Sequence, residues 1–270
     1  LDAVARFHAG GAHARGARFS IASPRGDAEL GPLVERAMSR LPQAGDDALV
    51  LSNVVSLPRP SGRVFLVDHP GAAQTELRVG ALAVASTHPD FFPLAVLNYS
   101  LGGAFSSRIN LNLRESKGFT YGARSGFTGG VLPGPFTVSA AVETSVTAAA
   151  AREVLHELTL IREGVRPDEL EFAQAALRQS LNTQFESCDA RRGLVDSALR
   201  FDWPLDYPLR RARVLEHLTL DDMERLAVEH FDPEAWILLA VGDAHVIGNS
   251  LDTLGLGPAR TLDVDGTPRD

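Results

Sequence analysis

From residue 27 to residue 41 the apolar side chains Leu30, Leu33, Val34, Ala37 and Leu41 recur as one helical stripe, with Glu29, Glu35, Arg36 and Arg40 opposite them. That pattern predicts an amphipathic helix. Upstream, Leu1, Val4 and Ala5 carry the spacing of a short helix over 1–8, and Phe19 and Ile21 fall on one side of a strand over 17–23. Downstream the period changes. The runs RVFLVD (63–68) and QTELRVGALAV (74–84) read as strands, and the apolar run from Phe91 to Leu101 reads as a buried helix.

Residues 101–127, LGGAFSSRINLNLRESKGFTYGARSGF, hold the most information. Leu101, Gly102 and Gly103 are expected to close the preceding helix, the paired glycines taking the positive φ of a helix C-terminus. Phe105, Ile109, Leu111 and Leu113 keep mostly helical spacing as far as Arg114, with Ser106 and Ser107 as the expected caps. Gly118 breaks that helix. Phe119, Tyr121, Ala123, Ser125 and Phe127 then alternate with Thr120, Gly122, Arg124 and Gly126, which predicts a strand over 119–128. A glycine-rich turn, 129–134, would join it to a strand over 134–142 as an antiparallel pair.

Two long helices follow, over 144–163 and 167–187; Pro167 with Asp168 and Glu169 is a start signal for the second. Shorter helices are expected over 190–201, 207–217 and 220–230, then a buried strand, WILLAV, at 236–241. The tail 261–270 is polar, acidic and expected to be exposed. Strands, helices, strands, more helices and a late strand describe an α+β domain whose mostly antiparallel sheet is covered by helices on one face. Residues 42–60, with Pro42, Gly45, Asp46, Asp47, Pro58 and Pro60, have the composition of an exposed boundary. The piece before them is too small to fold alone. Leu1 falls inside an element, so a true N-terminus upstream is expected.

The chain has 270 residues, 44% hydrophobic and 22% charged, the balance of a soluble globular protein with a sizeable core. A net charge of −8 argues against a nucleic-acid binder, which needs a basic face. No run approaches the length needed to span a bilayer. The single cysteine, Cys188, excludes an intramolecular disulfide and leaves the compartment open between cytoplasm and periplasm.

Arg114 at a helix end and Tyr121 at a strand start stand seven positions apart across one tight turn, an arrangement that can point both side chains at the same space. Taken alone, each residue has an ordinary use, dipole complementation for the Arg and half-buried packing for the Tyr. The GG, SSR, LRE and YG elements occurring in order make the stretch resemble the C-terminal domain of the insulinase-like (M16, pitrilysin and mitochondrial processing peptidase-related) zinc metallopeptidases. The resemblance runs from about Arg63 to Gly257. It implies the LuxS/MPP-like metallohydrolase fold, with 1–45 a remnant of the preceding M16-like N-terminal domain, 46–60 a linker and 61–270 the C-terminal domain. It also implies that Arg114 and Tyr121 are site residues, acting on the substrate carbonyl and the transition state.

Those residue types suit that chemistry. Attack on a peptide carbonyl builds negative charge on its oxygen, and preorganised donors aimed there lower the barrier. A phenol with an ordinary pKa near about 10 stays a donor at neutral pH, and a guanidinium always is one.

The family's metal motif is missing. H-x-x-E-H supplies two His ligands and a general base, but the nearest strings here, RVLEH (213–217) and LAVEH (226–230), lack the first His, and Leu160 breaks an H-E-x-x-H after His156 and Glu157. These His residues read as helix-surface positions. There is no G-x-S-x-G, P-loop or dinucleotide fingerprint either. The resemblance therefore implies zinc and base on another domain or subunit of the family, in a homo- or heterodimer or upstream in the chain. This chain alone would hold no metal and be inactive. The alternative is a non-catalytic scaffold or peptide-binding subunit.

Overall fold

Period-two alternation decides the architecture. In the computed structural model, which describes residues 2–11, 17–41 and 62–269, the chain runs through α1 (Asp2–Gly11), α2 (Asp27–Met38), β1 (Val64–Asp68), β2 (Gln74–Leu82) and α3 (Phe91–Asn98). A π-helical turn, Tyr99–Gly103, leads to α4 (Arg108–Asn110), which continues as a second π-helical turn, Leu111–Ser116, into β3 (Thr120–Phe127) and β4 (Pro135–Glu143). Then come α5 (Thr147–Leu160), α6 (Pro167–Thr183), α7 (Cys188–Phe201), α8 (Tyr207–His217), α9 (Leu220–His230), β5 (Ile237–Gly242), α10 (Ala244–Leu251) and β6 (Arg260–Leu262).

Packing divides the molecule into two units, one within 1–57 and 181–207, the other within 58–180 and 208–270. In the first, residues 17–23 form no strand. Among the described residues no strand pairs with them; their side chains reach α7, the Arg18 guanidinium donating to the Leu199 carbonyl and the Ser20 hydroxyl to Asp196. Neither α2 nor α7 contains a fully buried residue, although both are amphipathic. The expected linker, 46–60, lies outside the described residues.

The second unit holds a six-stranded sheet in the order β3-β4-β2-β5-β1-β6. β2 pairs antiparallel with β4 and β5, and β3 with β4, while β1 is parallel to both β5 and β6. The sheet is mostly antiparallel, as expected, with its parallel pairs at the β5-β1-β6 end. Thr75, Leu77 and Val79 of β2, Val138, Ala140 and Val142 of β4, and Leu238 and Ala240 of β5 are buried on one face. Helices α5 and α10 pack there through Ala150, Ala151, Val154, Leu158, Ile247 and Leu251. Burying each of the larger ones, the valines, leucines and isoleucine, contributes roughly 1.5–3 kcal/mol. The intervening residues, among them Glu76, Arg78, Ser139 and Arg124, occupy the opposite face.

The tail departs from expectation. Arg260–Leu262 joins the sheet beside β1, and the chain turns back so that the Arg269 N–H donates to the Thr261 carbonyl at 2.9 Å. Three residues are too few for alternation to show. Val264, 90% exposed, lies as anticipated.

Candidate active site

Glycine sets the height of the first wall. Gly102 and Gly103 end the π-helical turn, but neither takes a positive φ. A Cβ on Gly102 would lie 2.2 Å from Ser125 Oγ and 2.9 Å from Ser125 N, so this glycine lets the helix end press against β3. The sequence expectation of a left-handed cap is corrected accordingly: the glycine is there for close approach. Asn98 secures the same contact, its Nδ2 donating to the Ser125 carbonyl at 3.0 Å and its Oδ1 accepting from the Ser125 hydroxyl at 2.5 Å.

The next helix starts later than expected. Ser107 occupies the cap position, yet its hydroxyl makes no capping bond; only its carbonyl accepts, from Leu111 N–H at 2.9 Å. Arg108 at the first turn is anchored to Glu169, donating from Nε at 2.7 Å and from Nη2 at 2.5 Å, with a further bond to the Gly164 carbonyl at 3.1 Å. Burial pushes the Glu169 carboxyl up, but the bonds from Arg108 and the Arg166 N–H, with both guanidinium charges, outweigh it and hold the carboxyl below its ordinary range. Asn112 reaches the other way, donating to Glu153 at 3.1 Å and Glu157 at 2.7 Å. Asn112's amide, with Lys117, keeps the Glu153 carboxyl low.

Arg114 stands in the π-helical turn. Its guanidinium sits over the Phe105 ring, 4.5 Å from the centroid, and Nη1 lies 3.4 Å from Glu115 Oε1. That pairing lacks hydrogen-bond geometry, so Nη1 remains a buried donor with no hydrogen-bond partner. Gly118, at φ 66°, then turns the chain, and the Phe119 N–H donates to the Leu113 carbonyl at 2.8 Å.

Tyr121 is placed by a bulge. Thr120 pairs with Val142 and Ala123 with Ala140, so Tyr121 and Gly122 together face the single residue Ala141. Strict alternation would have put Tyr121 on the buried side with Ala123 and Ser125. The extra residue turns it out instead, 90% exposed and, among the described residues, without a hydrogen bond or ring contact. Arg114 and Tyr121 thus flank one turn, each with an unused donor, and do not hydrogen-bond to each other.

Beside them, on the sheet face away from the helices, lies a groove of about 500 Å³ rimmed by Gly103 and Phe105 and floored by Glu76, Arg78, Arg124 and Ser139. Arg78 is paired with Glu76 at 3.0 Å. The Arg124 guanidinium has no partner among the described residues.

Among the described residues, Asp90, Glu229 and His230 bring ligand atoms within 4.8 Å of one another, the arrangement that could hold a cation. This is where LAVEH ends. His230 Nε2 is 3.1 Å from Asp90 Oδ2, but Arg225 already pairs with Asp90 at 3.6 Å and Glu229 at 3.0 Å. The group fits an ion-pair cluster joining α9 to the start of α3, not a hydrolytic zinc centre. Sequence reasoning passed over Asn98, Asn110 and the Arg108–Glu169 pair; a signal was available in the two amides, each a polar residue within an apolar helical run.

Comparison with known proteins decides the family. Residues 2–177, more than half of the chain, match the model described as the peptidase M16 inactive domain. The chain belongs to the M16 peptidase family. It is 29% identical over 119 residues to the uncharacterized zinc protease YmxG of Bacillus subtilis (strain 168), covering 44% of this chain and 29% of that protein. Its fold is similar to the crystal structure of an M16 inactive domain from Pseudomonas fluorescens (TM-score 0.68, 22% identity, 81% of this chain and 52% of that one). It is also similar to that of a protease from Helicobacter pylori (TM-score 0.71, 19% identity, 80% and 53%). This M16 chain spans about half the length of those two structures. No helix among its described residues is long and apolar enough to cross a membrane.

Proposed function

We propose that this chain is the Arg/Tyr-bearing part of an M16-like zinc peptidase, working with an H-x-x-E-H domain carried upstream in the same polypeptide or on a partner subunit. In this reading residues 61–270 are the C-terminal domain and 1–45 complete the preceding one, joined by 46–60. The observation that supports this reading is the turn between Arg114 and Tyr121, which sets a guanidinium whose Nη1 makes no hydrogen bond among the described residues near a phenol turned outward by the bulge. The groove beside it offers room for an extended peptide.

Zinc and the general base are assigned elsewhere, since the sequence contains no H-x-x-E-H and the ligand cluster among the described residues does not fit them. What its own residues do is bind and polarise. The carbonyl under attack gains negative charge on oxygen, and the Tyr121 hydroxyl and Arg114 guanidinium donate to it, more strongly as that charge grows. Phe105 holds the guanidinium from one side.

The test is chelator-sensitive hydrolysis of a mixed peptide library by the native assembly, wild type against Tyr121→Phe. A fall in turnover of about 10²-fold or more is expected for loss of one oxyanion donor, with folding unchanged because Tyr121 is exposed. Zinc-dependent cleavage by the isolated 270-residue chain would contradict the division of labour. An assembly that carries stoichiometric zinc but cuts nothing would favour the scaffold or peptide-binding alternative.

A further inference from the structure

We propose that Asn110 is a positioning residue for the Arg114/Tyr121 pair, an inference that rests on the reading of that pair given above. Asn110 is 2% exposed, between the fully buried Ile109 and the apolar layer around Leu113. A buried amide is costly unless both of its ends are satisfied. Here both are, one bonded to the residue whose ring lies under the Arg114 guanidinium and the other to the strand two residues beyond Tyr121. Nδ2 donates to the Phe105 carbonyl at 2.7 Å, and Oδ1 accepts the Ala123 N–H at 2.9 Å.

Phe105 is the platform under the Arg114 guanidinium. Ala123 is the residue at which β3 regains its register after the bulge that turns Tyr121 out. One side chain therefore fixes the distance between the platform of the guanidinium and the root of the phenol.

β3 is an edge strand, so the Ala123 N–H points away from β4 and has no strand to receive it. On the other side of the bulge, Thr120 Oγ1 donates to the Ala141 carbonyl at 2.6 Å and accepts the Gly122 N–H at 3.1 Å. The bulge is thus held from both edges, by Thr120 toward β4 and by Asn110 toward α4. An apolar residue at position 110 would fill the same layer without an amide to satisfy. What the amide adds is geometry.

Two variants and two readouts test this. Asn110→Ala removes both bonds; Asn110→Asp keeps the acceptor for Ala123 and sets a carboxylate against the Phe105 carbonyl. In the full chain, amide exchange followed by NMR should speed at Ala123 by about tenfold or more in Asn110→Ala, relative to the interior amide of Leu77, and stay near wild type in Asn110→Asp. In the assembled peptidase both variants should lower kcat more than they change KM. In the Tyr121→Phe background, Asn110→Ala should cost little further, because the two act as a unit.

Uniformly faster exchange, or losses that simply add to those of Tyr121→Phe, would reduce Asn110 to a packing residue and overturn the proposal. If Asn110→Ala does not fold, Asn110→Asp decides: a kcat equal to wild type in that variant sinks it. The two readings fail separately. A Tyr121→Phe assembly with full turnover defeats the reading of the pair, and Ala123 exchange then still shows whether Asn110 holds the turn.

Discussion

The guanidinium of Arg114 sits over the ring of Phe105, 4.5 Å from its centroid, although Phe105 is itself 72% exposed. An exposed phenylalanine at the rim of a groove is poorly explained by burial, and orientation of the cation is what it supplies. A cation–π contact at an exposed site is worth about 0.5–1 kcal/mol, or roughly a two- to fivefold effect. Phe105→Ala should therefore lower kcat/KM of the assembled enzyme by that factor, far less than Arg114→Ala. A loss as large as that of Arg114→Ala would mean that the ring itself contacts substrate.

The pair between Arg108 and Glu169, whose side chains are only 15% and 10% exposed, ties the start of the site helix to α6. Because the Glu169 carboxyl is held below its ordinary range in the fold, the unfolded chain binds its proton first as pH falls. Its stabilising contribution is present above an unfolded pKa of about 4.3 and is lost as pH falls through the depressed folded value. Glu169→Gln should cost about 3 kcal/mol at most at pH 7, the lower end for breaking a buried pair. It should also flatten the acid side of a plot of urea midpoint against pH. An unchanged acid limb would show that Glu169 titrates normally.

Arg124 faces the groove without a partner among the described residues, next to Ser139 and across it to Arg78, which is paired with Glu76. A free cation there favours an acidic side chain or a carbonyl of a bound peptide, equally in ground and transition states. Arg124→Ala should raise KM roughly two- to fivefold, the scale of exposed charge contacts, with kcat nearly constant. Competition between acidic and basic peptides of equal length would check the sign.

Much of the fold is legible in the sequence. The strands at 74–82 and 135–143 follow from alternation, because one sheet face is buried and the other is more open, whereas those at 64–68 and 237–242 follow from short, nearly continuous apolar runs. Arg114 and Tyr121 are singled out in the sequence by their ordered flanks. The environment that gives them meaning was not legible, for a physical reason: it depends on a bulge that breaks the period at Tyr121 and on amides whose partners lie 13 and 27 positions away, Asn110 with Ala123 and Asn98 with Ser125. Local patterns do not encode such register shifts. The strand anticipated at 17–23 failed similarly, since alternation cannot say whether a neighbouring ladder exists.

Gly102 supplies the sharpest stability prediction. A methyl group there would meet Ser125 Oγ at 2.2 Å and Ser125 N at 2.9 Å. The first contact belongs to a short side chain that could be removed; the second belongs to the backbone of β3, which Asn98 holds in place through the Ser125 carbonyl. Gly102→Ala should therefore destabilise the second unit by about 1–3 kcal/mol, the usual range for overpacking, measured as a lower urea midpoint. Adding Ser125→Gly should restore only part of that, because the clash with the amide nitrogen stays. Had the glycine been a left-handed helix cap, as its sequence context alone indicates, Ser125→Gly would restore nothing. Partial rescue therefore separates close approach from backbone conformation at this position.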